Sequence, residues 1–170
     1  MKKHFFYVFC LSLILLLPNS IHAQDSGLID VYGDWSAFAI KENGKDACYL
    51  GSQATKSEGK YSKRGDVLFL VTHRPADKAM GVINFQTGYT FKQGTSAIIT
   101  IGDDNFSLFT EGSDGWAKDG ATDKAIVNAM IRGAQMMIKG TSSRGTKTTD
   151  TFSLKGFTAA YKAASKACKI

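Results

Sequence analysis

Few residues in this chain have the type and spacing to do chemistry. Cys48, Cys168 and His73 are the candidates for thiol or acid–base work in the body of the sequence. A serine or cysteine hydrolase needs a base beside its nucleophile, so His73 would have to serve Cys48. His73 instead closes an apolar strand and precedes Arg74-Pro75, the setting of a strand-end histidine that faces solvent. Two sulfurs with no histidine nearby make half a zinc site, so no metal is expected. Asp103, Asp104, Glu111, Asp114, Asp119 and Asp123 gather within 21 residues, and paired carboxylates can bind calcium or cleave glycosides. Yet Asp103 and Asp104 sit between Gly102 and Asn105 in a turn, Asp123 suits the first turn of a helix, and no EF-hand spacing is present. The run Gly140-Thr141-Ser142-Ser143-Arg144-Gly145-Thr146-Lys147-Thr148 resembles a phosphate loop. That motif, however, has lysine directly after its second glycine and opens a helix. Here Thr146 intervenes and a β-pattern follows, leaving a hairpin tip rich in Ser, Thr and Gly. Lys139, Arg144, Lys147 and Lys155 around it are the candidate anion-binding residues. No catalytic set and no cofactor motif emerges. Trp35 and Trp116 read as core residues rather than a ligand platform.

The first 23 residues read as a targeting segment. Lys2-Lys3-His4 is followed by an apolar run from Phe5 to Leu17, a break at Pro18-Asn19-Ser20, and Ile21-His22-Ala23. These are the three regions of a secretory signal, with cleavage expected after Ala23. The apolar run is about 13 residues, short of the roughly 20 that span a bilayer, and no later stretch is a better candidate. Residues 24–170 are then the mature domain. It keeps two of the three cysteines, Cys48 and Cys168. Two cysteines in an exported protein read as one disulfide, the alternative being two buried thiols.

Positioning these residues falls to many short elements. Strands are expected over 30–40 (bent at Gly33), 47–52, 67–71, 80–85, 95–101, 106–110, 135–139 and 150–154. Asn43-Gly44 is a strong hairpin signal. Residues 55–64 read as a polar, basic loop and residues 111–121 as irregular. Thr122 is a candidate cap for a helix through Ile131, ended by Gly133. Residues 156–169 carry an apolar stripe of Phe157, Ala160, Tyr161, Ala164 and Cys168 at helical spacing. With 44% hydrophobic and 21% charged residues the composition is globular, which excludes global disorder. The expected fold is mainly β: an antiparallel β-sandwich-like single domain of about eight short strands and two helices.

The formal charge of +6 is unevenly spread. Residues 24–123 hold 10 Lys and Arg against 14 Asp and Glu, while residues 124–170 hold 9 against Asp150 alone. Either the basic third is neutralised by packing beside the acidic part, or it faces an anionic surface such as lipid headgroups or acidic glycans. Nucleic acid is a poor partner, because export removes the protein from it.

Several segments together resemble a known family. Tyr32-Gly33-Asp34-Trp35 opens the domain, and Cys48-Tyr49-Leu50, Arg64-Gly65-Asp66-Val67 and Val71-Thr72-His73-Arg74-Pro75 follow. Then come Phe109-Thr110-Glu111-Gly112, Trp116-Ala117, Ala121-Thr122-Asp123 and Gly140 to Thr146. Ser153-Leu154-Lys155-Gly156-Phe157-Thr158-Ala159-Ala160 and Cys168 complete the ordered set. It resembles the invasion-associated locus B family of alphaproteobacterial exported proteins. The resemblance implies a periplasmic or surface-exposed bacterial protein with a β-sandwich-like domain. It also implies a role in host-cell entry with no established enzymatic activity. An envelope or host macromolecule is the partner so implied. Many members place a cysteine shortly after Gly-Asp-Trp; here Ser36-Ala37-Phe38-Ala39 stand there. Two other classes stay open: a periplasmic enzyme acting on a glycan or small ester through His73 or the Asp103–Asp123 carboxylates, and a structural or stress-related envelope protein without a ligand.

Overall fold

The computed structural model describes residues 27–170. The expected signal segment, its cleavage point and Cys10 lie outside the described residues. Antiparallel pairing links eleven strands in the order β1-β2-β3-β5-β6-β9-β8-β7-β10-β11-β4. Alternating burial accompanies this. In β5 (Leu68–Arg74) and β10 (Gln135–Thr141) every second residue is buried, as one-sided strands require, while β11 (Lys147–Ser153) buries Thr148 and the run from Asp150 to Phe152. β8 (Asp104–Glu111) belongs to both halves of the sheet. Its first part pairs with β7 (Ala97–Ile101) and its last three residues with β9 (Asp114–Trp116). On the other side, β3 (Lys45–Gln53) leads directly into β4 (Lys56–Gly59), which pairs with β11. The sheet thereby folds over itself. Phe69 of β5 and Phe85 of β6 (Ala79–Gln86) meet Phe152 of β11 with ring centroids 5.9 and 6.2 Å apart.

Three strands exceed the eight expected from sequence, each for a physical reason. The first apolar run is a hairpin, β1 (Leu28–Tyr32) and β2 (Trp35–Glu42), because Gly33 at φ +59° turns the chain back. β4 carries Lys-Ser-Glu-Gly with no apolar residue, and its strand form comes from pairing with β11. β9 has three residues and is held between β6 and β8. The Asn43-Gly44 turn forms as expected, with φ of 50° and 79° joining β2 to β3.

Helix α1 (Gly120–Arg132) starts one cap earlier than expected. Asp119, not Thr122, is the N-cap, and its carboxylate accepts the Thr122 N–H at 2.8 Å. Its buried face of Ile126, Val127, Ala129 and Met130 covers the sheet, and Gly133 follows in extended conformation. Helix α2 (Phe157–Ala167) buries Phe157, Ala160 and Ala164. Phe157 lies edge-on to Trp35 at 4.9 Å, and burying a ring of that size stabilises by about 2–3 kcal/mol. Gly156 starts α2 at φ +91°, where a Cβ would overlap the Tyr32 carbonyl oxygen. The Asp34 N–H donates to the Lys155 carbonyl at 3.1 Å, so the first hairpin and the start of α2 are clamped together. Cys48 of β3 and Cys168 after α2 form a disulfide, with Cα atoms 5.9 Å apart. No helix among the described residues is long and apolar enough to cross a membrane.

Candidate functional site

The basic stretch after β4 and the β10–β11 tip come together because β4 pairs with β11. Thr148 lies opposite Gly59, which sets residues 60–64 beside residues 142–146. Between them is a cavity of about 430 Å³ that includes Lys60, Lys63, Arg64, Tyr89 and Arg144 in its lining. The wall adds the hydroxyls of Ser62, Ser142, Ser143 and Thr146. No carboxylate, histidine or thiol lines it. The tip is held by three backbone bonds: Ser142 N–H to Thr146 O, Gly145 N–H to Ser142 O, and Ser143 N–H to Thr90 O.

Arg64 anchors the floor. Its guanidinium donates to both oxygens of Asp150 at 2.6 and 2.7 Å and through Nε to the Thr87 carbonyl at 2.7 Å. Its carbon centre stands 5.4 Å from the Tyr61 ring and 4.8 Å from the Tyr89 ring. The side chains of the pair are 4% and 0% exposed. A planar fork stacked on aromatics and paired bidentately is a role that arginine fills and lysine cannot. Burial pulls the guanidinium pKa down, but the hydrogen bonds and charge of Asp150 more than offset that, leaving it above its ordinary value. Desolvation holds the Tyr89 hydroxyl above the usual phenol range, and that hydroxyl bonds Thr148 Oγ1 at 2.7 Å.

Asp150 neutralises Arg64, so the cationic character of the cavity comes from Lys60, Lys63 and Arg144. None of the three makes an ion pair among the described residues. Lys147 lines an adjoining shallow depression that shares Lys60 and Arg144. Lys139 lies on the outer face of β10, opposite Ile98 and Thr149, away from the cavity. Lys155 follows Ser153, which pairs with Gln135 at the far end of the hairpin. The sequence candidates therefore divide, with Arg144 and Lys147 at the tip and the other two elsewhere. Of the nine cations after residue 123, Arg132 alone forms an ion pair among the described residues, with Asp104 at 3.6 Å. Ion pairing does not neutralise the basic third. Lys60 and Lys63 were visible as a basic run, but nothing in the sequence ties residues 60–64 to residues 142–146.

The catalytic candidates disperse. His73 is fully buried rather than facing solvent, because the alternation of β5 turns residues 69, 71 and 73 inward. Its Nδ1 accepts the Gly81 N–H at 3.0 Å, so the ring proton sits on Nε2, 3.4 Å from Ser165 Oγ. Burial lowers its pKa. Cys48 is spent in the disulfide and offers no thiolate. Among the acidic residues, Asp104 faces Arg132, Asp114 accepts Asn84 Nδ2, Asp119 caps α1, and Asp123 is buried where it accepts the Ile83 N–H at 2.9 Å. No three His, Cys, Asp or Glu side chains among the described residues form a group that could hold a metal. Trp35 is fully buried as expected, whereas Trp116 is half-buried beside the exposed Phe109.

Fold and site define a disulfide-closed antiparallel β domain with a cationic cavity at one hairpin tip. The family model for the invasion associated locus B protein matches residues 35–165, and the chain belongs to that family. A crystal structure of invasion associated protein B from Bartonella henselae is similar, with a TM-score of 0.59 and 19% identity. That match covers 82% of this chain and 96% of the other. No curated protein matches the chain.

Proposed function

We propose that this protein is an exported, non-enzymatic binding domain that holds an acidic group of an envelope or host macromolecule in the cavity beside the β10–β11 tip. The carrying observation is the set of unpaired cations Lys60, Lys63 and Arg144 around hydroxyl donors, above an Arg64 already neutralised by Asp150. Such a wall attracts negative charge and offers hydrogen bonds to oxyanions. It contains no carboxylate, histidine or thiol to activate its hydroxyls, which favours binding over turnover. The disulfide fits an oxidising compartment outside the cytosol.

The test is titration of the protein with a soluble acidic polysaccharide and with vesicles containing anionic lipid, followed by backbone amide NMR. Shifts should concentrate in residues 60–64 and 142–148. The K60A/K63A/R144A variant should lose binding while keeping its melting temperature. Binding should also weaken as salt shortens the screening length to about 3 Å at 1 M. Full binding by that variant, or affinity independent of salt, would overturn the proposal.

A further inference from the structure

A second recess lies between the start of β6 and α1, on a different part of the molecule. Its volume is about 680 Å³, within the range of small-molecule sites, which are mostly apolar with a few placed polar groups. Met80 and Ile131 line it and are 43% and 41% exposed, while Val127 and Tyr161 lie deeper. Asp123 also lines it, yet Asp123 is 6% exposed.

The carboxylate is half-satisfied. Oδ1 accepts the Ile83 N–H, whereas Oδ2 has no hydrogen-bond partner among the described residues. Every fully enclosed side-chain oxygen and nitrogen there does have a partner. Oδ2 is therefore not sealed in but opens on the recess. A buried carboxylate with a vacant oxygen calls for a cationic donor to complete its shell. Two cations, Lys78 and Lys124, line the same recess, and neither makes an ion pair among the described residues. A lone cation would leave both lysines without a counter-charge. A ligand with an ammonium at one point, a carboxylate at another and an apolar body matches all three features.

We infer that the β6–α1 recess binds the zwitterion of an apolar α-amino acid, its ammonium on Asp123 Oδ2, its carboxylate toward Lys78 and Lys124, and its side chain against Met80 and Ile131. The ammonium also offsets the desolvation that raises the Asp123 pKa. A free amino acid carries both charges on one carbon, whereas a dipeptide carries the same two charges further apart.

The experiment is an NMR titration of the whole domain with L-leucine, leucyl-leucine and two truncated probes. Isocaproate is leucine without its ammonium, and isopentylamine is leucine without its carboxylate. Leucine should shift amides in residues 78–83 and 120–131, and each truncated probe should bind at least about tenfold more weakly, the worth of one charge-assisted contact. Leucyl-leucine binding as tightly as leucine assigns the peptide source, and weaker binding assigns the free amino acid. Asp123→Asn keeps an oxygen for Ile83 N–H and should abolish leucine binding. Should that variant fail to fold, Ile131→Glu on the exposed rim should block leucine instead. No shift at about 10 mM leucine, where a millimolar site would be mostly filled, overturns the inference. So does isocaproate binding as tightly as leucine, or full binding by whichever variant folds.

Discussion

Replacing Asp150 by Asn isolates what holds the floor of the tip cavity. In the native chain two charge-assisted hydrogen bonds of 2.6 and 2.7 Å join a carboxylate that is 0% exposed to a guanidinium that is 4% exposed. Asn keeps one acceptor oxygen but puts an N–H2 where the second was, facing a guanidinium that only donates. Removing one partner of a buried pair costs about 3–5 kcal/mol, because the remaining charge stays desolvated and uncompensated. In a domain of this size that lowers the melting temperature by about 6–20 °C. Urea unfolding followed by far-UV circular dichroism, with the slope unchanged, gives the free energy directly. The double replacement Arg64→Met with Asp150→Leu should recover most of the loss, since it removes both desolvation costs. A second readout has the opposite sign: with its counter-charge gone, Arg64 adds a cation to the cavity, so D150N should bind acidic polysaccharide more tightly while being less stable. A stability loss below about 1 kcal/mol, the level of an exposed pair, would refute the assignment of Arg64–Asp150 as a buried anchor.

Two further outcomes follow from the same geometry. Reduction of Cys48–Cys168, or the C48A/C168A variant, opens a loop with a sequence separation of 120 and should cost about 5 kcal/mol in the chain-entropy account. Thermal melts with and without reductant check it, and a shift under about 5 °C would contradict the loop argument. His73 has a pKa lowered from 6.5, so below that pH the unfolded chain binds a proton that the native chain resists. Stability should therefore be full above pH 6.5 and decline as pH falls below it. His73→Leu should flatten that part of the profile in urea melts taken at successive pH values.

The strands that could be read from sequence are those with a short apolar run, such as β5, or apolar residues between turn signals, such as β10, and the helices are those with an apolar stripe. β4 and β9 carry no such signal, because their form is imposed by neighbours distant in sequence. The anchor was hidden for a related reason. Asp150 occupies an inward position between Thr148 and Phe152. A carboxylate there makes sense only once Arg64, eighty-six residues earlier, is placed against it. Arg144 and Lys147 were legible as an exposed basic tip. Lys60 and Lys63 were legible as a basic run, but their convergence depends on the β4–β11 pairing alone. The recess at Asp123 had no sequence signature, since a first-turn aspartate ordinarily faces water.

The disulfide also constrains the order of events during synthesis. Cys48 leaves the ribosome 120 residues before its partner Cys168. At about 5–20 residues per second, the first thiol waits some 6–24 s for the second. During that interval Cys10 is the only other cysteine in the chain. Closure therefore comes only once α2 is present to carry Cys168 to β3. A product truncated before Cys168 would leave Cys48 as a thiol with no native partner, so the bond reports that α2 has been made.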